Sequence, residues 1–155
     1  MRTPFVPLVP RYGSSLELRP GMDLYQQHRF ADALKYFERL RKQQRIATGI
    51  FCAVMGYVTC GLGLLFVGSA LKNTYDPLFQ AMAYCQFQLG NDLEALRLFS
   101  KTYDKTAVDF AVMGISFRAI GKESQAQCVW QQAADKDPRV GDWLKAAVGR
   151  IIPGA

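Results

Sequence analysis

The chain has 155 residues, half of them apolar and 21% charged, which suffices for one buried core and excludes a disordered tail. Nineteen Lys and Arg against thirteen Asp and Glu leave a net charge of +6, a balance that accommodates an acidic partner, nucleic acid or an anionic membrane without selecting one. A single histidine, His28, removes His-based metal cages and most His-dependent catalysis.

Residues 1–13 set Pro4, Pro7 and Pro10 between apolar residues. Proline at every third position prevents the unbroken apolar helix of a secretory signal, so an extended arm is expected there. Helices are then expected in pairs: 14–27 with 31–43, 46–60 with 64–73, 77–88 with 92–102, and 106–119 with 123–135. Asp76-Pro77 and Asp92 are suitable helix starts, and Pro20-Gly21 allows the first helix to begin only at Pro20. A last amphipathic helix is expected over about 139–150, with Trp143, Leu144, Ala147 and Val148 on one face. The expected organisation is an arm at 1–13, a helical-hairpin domain at 14–138, and a capping helix with its tail at 139–155.

One pattern recurs along this series. From Phe110 the chain reads Phe110, Met113, Gly114, Phe117, Gly121, Ala126, Trp130, Ala133, Pro138. Ala83, Gly90, Ala95 and Phe99 fall at equivalent places, as do Gly21, His28, Ala33 and Phe37, with His28 where the pattern has glycine. Residues 53–63 (AVMGYVTCGLG) align without a gap on residues 111–121 (AVMGISFRAIG), which puts Gly56, Gly63 and Gly68 in the small-residue positions of a further unit. The turn residues 28, 63, 90 and 121 are spaced by 35, 27 and 31, so the second unit is short. In such a unit the small residues let two helices approach, the turn glycine releases the chain, and the aromatics fill the space between.

This pattern resembles the tetratricopeptide repeat (TPR), a helix–turn–helix unit of about 34 residues. The resemblance implies an all-α solenoid of about four repeats with a C-terminal capping helix. It also implies a concave groove lined by the first helix of each repeat. Its lining residues are then Leu18, Met22, Tyr25 and Gln26; Ala53, Tyr57 and Cys60; Gln80, Tyr84, Phe87 and Gln88; and Ala111, Ile115, Arg118 and Ala119. An aromatic, apolar and amide-bearing groove suits an apolar helical or extended segment of a partner. Lys and Asn able to clamp a terminal carboxylate are absent from these positions, unlike the TPR domains that bind chaperone tails.

Residues 46–71 carry no charge, and 26 uncharged residues are long enough to cross a bilayer. Arg41, Lys42 and Arg45 precede the run and Lys72 follows it. Two readings stay open: the buried middle of the solenoid, favoured because the repeat register runs through it, or a transmembrane helix anchoring the molecule.

The chemistry-bearing residues form no catalytic set. Cys52, Cys60, Cys85 and Cys128 lack CxxC spacing and sit in apolar periodic segments, as small reduced hydrophobes do. The Ser and Cys nucleophiles have no His partner, and Gly61-x-Gly63 does not follow a strand, so neither nucleophilic catalysis nor phosphate binding is expected. No metal, cofactor or enzymatic activity is expected. Lys35, Arg39, Arg41, Lys42 and Arg45 form a basic strip, either a solvated helix face or a docking strip for an acidic partner or lipid. No aromatic interleaves it, so nucleic acid is not the expected partner.

The segments LYQQHRFADALKYF and AYCQFQLGNDLEALRLF look similar to repeats of the small TPR chaperones of bacterial type III secretion. That likeness, over about residues 18–103, implies a cytoplasmic chaperone that holds an apolar stretch of a membrane-inserting or needle subunit, and association as a homo- or hetero-oligomer stays open. The chain departs from those chaperones in its fourth repeat, its short second repeat and its basic balance.

Overall fold

The computed structural model describes residues 17–58 and 64–149, with the side chains of 55–58, 64–75, 143 and 145–149 excepted. Among the described residues all regular structure is helical: α1 (Arg19–Gln26), α2 (Phe30–Val58), α3 (Leu64–Gln88), α4 (Asp92–Phe99), α5 (Ala107–Ala119), α6 (Glu123–Lys136) and α7 (Pro138–Gly149). Each helix packs on the next in the chain, and α5 also touches α7.

One local device makes three of the turns. His28, Gly90 and Gly121 stand in the left-handed region, with φ of 60°, 81° and 79°. At each, the left-handed residue's N–H bonds the carbonyl three residues back and the next N–H bonds the carbonyl five back: His28 to Tyr25 and Arg29 to Leu24, Gly90 to Phe87 and Asn91 to Gln86, Gly121 to Arg118 and Lys122 to Phe117. This double bond pattern caps the ending helix and turns the chain back on itself. The result is three hairpins, α1/α2, α3/α4 and α5/α6.

The spacing within each hairpin then decides the packing. Seven residues before the turn residue stands a small side chain, and nine after it stands an aromatic. A Cβ on Gly114 would overlap the Trp130 ring, and one on Gly21 would overlap Phe37 and Tyr36. Ala83 and Phe99 fill the same roles and are fully buried, as are Ala33, Ala95 and Ala126. Side chains from α1 to α5 form one continuous core. A smaller cluster of Ala111, Ala133 and Leu144 seals α7 onto α5 and α6. The helix expected over 139–150 is therefore present, starts at Pro138, and buries Leu144 as anticipated. Trp143, Ala147 and Val148 have side chains outside the described set, and the arm at 1–13 lies outside the described residues altogether.

The second unit differs from expectation. The helices expected at 31–43 and 46–60 are one continuous α2 of 29 residues. Residues 39–48 contain neither Gly nor Pro, and Arg, Lys, Gln and Leu all favour helix, so nothing stops propagation at 44 or 45. The helices expected at 64–73 and 77–88 are likewise one α3 of 25 residues that runs through Pro77. Pro77 leaves one carbonyl a turn earlier without an intrahelical donor and its ring crowds that carbonyl, yet the helix continues on both sides. Residues 46–58 and 64–76 thus prolong α2 and α3 instead of forming a separate helix pair, and Gly63 lies outside the described residues.

The transmembrane reading of 46–71 falls partly outside the described residues, since 59–63 lie in the middle of that run. Its described parts are the last residues of α2, up to Val58, and the first of α3, from Leu64. Among the described residues no helix is long and apolar enough to cross a membrane.

Candidate functional site

The expected groove lies along α1, α3 and α5. Thr106 caps α5: its hydroxyl accepts from the Asp109 N–H at 2.9 Å, and the Asp109 carboxylate accepts from the Thr106 N–H at 2.6 Å. That capping box places the Asp109 side chain toward α3. There it accepts from the Gln80 amide at 2.8 and 2.9 Å and from the Tyr84 hydroxyl at 2.8 Å. Asp109 is buried with 1% exposure, yet each of its oxygens has partners. Burial, followed by the adjacent Asp109 charge, pushes the Tyr84 phenol well above its ordinary range. Tyr25, fully buried on α1, is hydrogen-bonded to Gln88 of α3, and burial raises its phenol too.

These contacts correct the groove. Tyr25, Tyr84, Phe87 and Ala111 are at most 3% exposed and Met22 is 9% exposed, so they are core residues that no partner can touch in this conformation. Tyr25 meets Phe30 of α2 edge-on and Tyr84 meets Phe99 of α4 edge-on, so these rings pack inside their own hairpins instead of lining an opening. Leu18, Gln80, Gln88, Ile115 and Arg118 are half-buried, whereas Gln26, Ala53 and Ala119 are exposed. Gln80 is occupied by Asp109, and Arg118 pairs with Glu123 at 3.5 Å across the α5–α6 turn. Ala53 stands far along α2, away from the rest. The Tyr57 side chain and Cys60 lie outside the described residues. Apart from Ala53 and the occupied Gln80, the expected groove residues that keep some exposure are Leu18, Gln26, Gln88, Ile115, Arg118 and Ala119, with Gln88 bonded to Tyr25.

A second surface lies on α2. Lys35, Arg39, Lys42 and Arg45 are exposed on its first half, as the sequence suggests. Arg41 is half-buried, with its guanidinium 5.1 Å from the centre of the Phe79 ring, and Lys101 Nζ lies 5.6 Å from that same centre. Two cations gathered on one ring disfavour each other: desolvation and then the Arg97 and Arg41 charges lower the Lys101 amine. Glu94, bonded to Arg97 at 2.6 Å, is held below its ordinary range by that bond and by the neighbouring cations. A solvent-open cavity of about 460 Å³ is lined by Glu38, Arg41, Lys42, Arg45 and Ile46.

Beyond this basic stretch the helix turns apolar. Ile46, Ile50, Phe51 and Val54 are 53–61% exposed. Ile46, Ile50 and Val54 follow each other at four-residue spacing, which puts them on one face. Sequence reasoning assigned these positions to a repeat interior and so missed the strip. The signal was present in the four-residue spacing and in the absence of any Asp or Glu over residues 39–75.

The reactive side chains stay apart. Among the described residues no three His, Cys, Asp or Glu come together as a metal could use. His28 sits exposed in its turn, edge-on to Phe30. Burial pushes the Cys85 thiol up to about 12, which keeps it protonated and unreactive at neutral pH. Cys128 is exposed and Cys52 half-buried. No protein-family model, curated protein or solved structure matches this chain.

Proposed function

We propose that the chain is a non-enzymatic protein-binding module of the TPR type, an adaptor or chaperone that holds an apolar helical or extended segment of a partner. The observation that carries this reading is the threefold recurrence of one hairpin geometry, with its left-handed turn, small residue and facing aromatic. Stacked hairpins of this kind present an extended surface built from successive first helices, and such surfaces bind peptides and helices. Leu18 and Ile115 supply apolar contact on the α1–α3–α5 face, Gln26 and Gln88 can satisfy a peptide backbone, and Arg118 adds one positive charge.

The likeness to type III secretion chaperones supplies a client class, an apolar stretch of a secreted subunit held in the cytoplasm. Co-purification with subunits encoded in the native host, followed by calorimetry on the purified pair, tests the reading. Ile115→Asp with Gln88→Ala should weaken binding by about tenfold or more, the effect of truncating one moderate anchor. Undiminished affinity in that variant would remove this face as the site.

A further inference from the structure

We propose that the outer face of α2 docks on a membrane surface rich in anionic phospholipid, with Ile46, Ile50, Phe51 and Val54 entering one leaflet and Lys35, Arg39, Lys42 and Arg45 meeting the headgroups. The proposal is independent of the α1–α3–α5 face and holds whether or not that face takes a client.

The order of chemistry along the helix is its first support. Lys35, Arg39, Lys42 and Arg45 are all exposed on α2, and the next exposed side chains on that helix are apolar. A bilayer presents the same order over the same distance, charged headgroups and then acyl chains. From Ile46 to Val54 an α-helix rises about 12 Å, less than half of a hydrocarbon core of about 30 Å. The strip therefore fits within one leaflet, and no helix of the described residues is able to cross both.

The charge distribution selects the headgroup. Residues 39–75 hold five cations, Arg39, Arg41, Lys42, Arg45 and Lys72, and no Asp or Glu. The cavity beside Ile46 is lined by Arg41, Lys42 and Arg45, with Glu38 as its one anionic lining residue. Arg41, one of the lining residues, shares the Phe79 ring with Lys101. A phosphate is the group that such a collection of cations accommodates, and Lys or Arg near an anionic bilayer is drawn to it. A folded protein partner would need a matching slab of aliphatic surface bordered by acids, whereas the bilayer supplies both layers without specific side chains.

Flotation of the full chain with lipid vesicles tests the proposal. Vesicles of phosphatidylcholine with phosphatidylglycerol should carry the protein, and vesicles of phosphatidylcholine alone should carry at least about tenfold less. Lys42→Glu with Arg45→Glu should abolish that preference, while Lys42→Arg with Arg45→Lys should keep it. Ile50→Gln with Val54→Gln changes exposed positions only, so it should leave the melting temperature unchanged and release the protein from the anionic vesicles at moderate salt. Equal binding to both vesicle types would overturn the headgroup assignment. Absence of vesicle binding overturns the whole proposal. If the wild type then forms a dimer that Ile50→Gln with Val54→Gln dissociates, a second copy covers the strip; if that variant instead loses a purified client, the strip is a protein site. Client binding that survives all these variants leaves the α1–α3–α5 reading standing on its own.

Discussion

Asp109 offers the sharpest test of how the helices are held in register. Asp109→Ala would strip the acceptor from the Gln80 amide, the Tyr84 hydroxyl and the Thr106 N–H, which lie 2.6–2.9 Å from it. Hydrogen bonds to a charged group contribute about 1.5–3 kcal/mol each, but the three losses are not additive. Gln80 and Thr106 are half-buried and can turn to water, so about 1 kcal/mol is assigned to each. Tyr84 is 3% exposed and its hydroxyl would be stranded from its charged acceptor with only Thr106 beside it, at a cost of about 2 kcal/mol. The expected loss is about 4 kcal/mol, or about 8–16 °C in melting temperature for a chain of this size.

Urea and thermal unfolding followed by far-UV circular dichroism measure it. Tyr84→Phe alone should cost about 1 kcal/mol. In the Asp109→Ala background the same change should cost nothing or restore stability, because it removes the stranded hydroxyl. A loss below about 0.5 kcal/mol for Asp109→Ala, or strict additivity of the two changes, would refute the buried network.

Gly114→Ala should destabilise by about 1–3 kcal/mol despite alanine's better helix propensity, because the added methyl meets the Trp130 ring; a stabilised variant would contradict the close approach. His28→Gly should raise stability by about 0.5–1 kcal/mol, since φ of 60° strains a side chain there, and unfolding in urea reads the sign. In the native protein Cys128 should react with a thiol reagent and Cys85 should not until the chain unfolds, which mass spectrometry distinguishes. The raised Cys85 thiol binds its proton more tightly folded than unfolded. Its contribution is therefore complete below its ordinary range near 9 and is lost as pH climbs toward about 12. The raised Tyr84 phenol acts in the same direction, so stability should fall through the alkaline range; a flat alkaline profile would argue against their burial.

The hairpin turns were legible because their causes are local. A residue that can adopt positive φ, a small residue seven before it and an aromatic nine after it are all properties of one short segment. His28, Gly90 and Gly121 accordingly sit where the spacing put them. That α2 continues past residue 45 and α3 runs through Pro77 was not legible from repeat register, since continuing a helix requires only that nothing interrupt it. The expected groove fared differently. The register correctly placed Tyr25, Tyr84 and Phe87 on the first helices of their hairpins, but register cannot say how close neighbouring helices lie.

By itself the sequence determined the all-helical class, three of the turns, the small–aromatic contacts within each hairpin and the basic strip on α2. Each follows from backbone sterics and residue spacing over a few turns of chain. Only the tertiary structure decided that Tyr25, Tyr84 and Phe87 are core, and that residues 46–54 prolong α2 with Ile46, Ile50, Phe51 and Val54 exposed. Both outcomes depend on the distance between helices far apart in sequence, and that distance is set by the packing of many side chains at once.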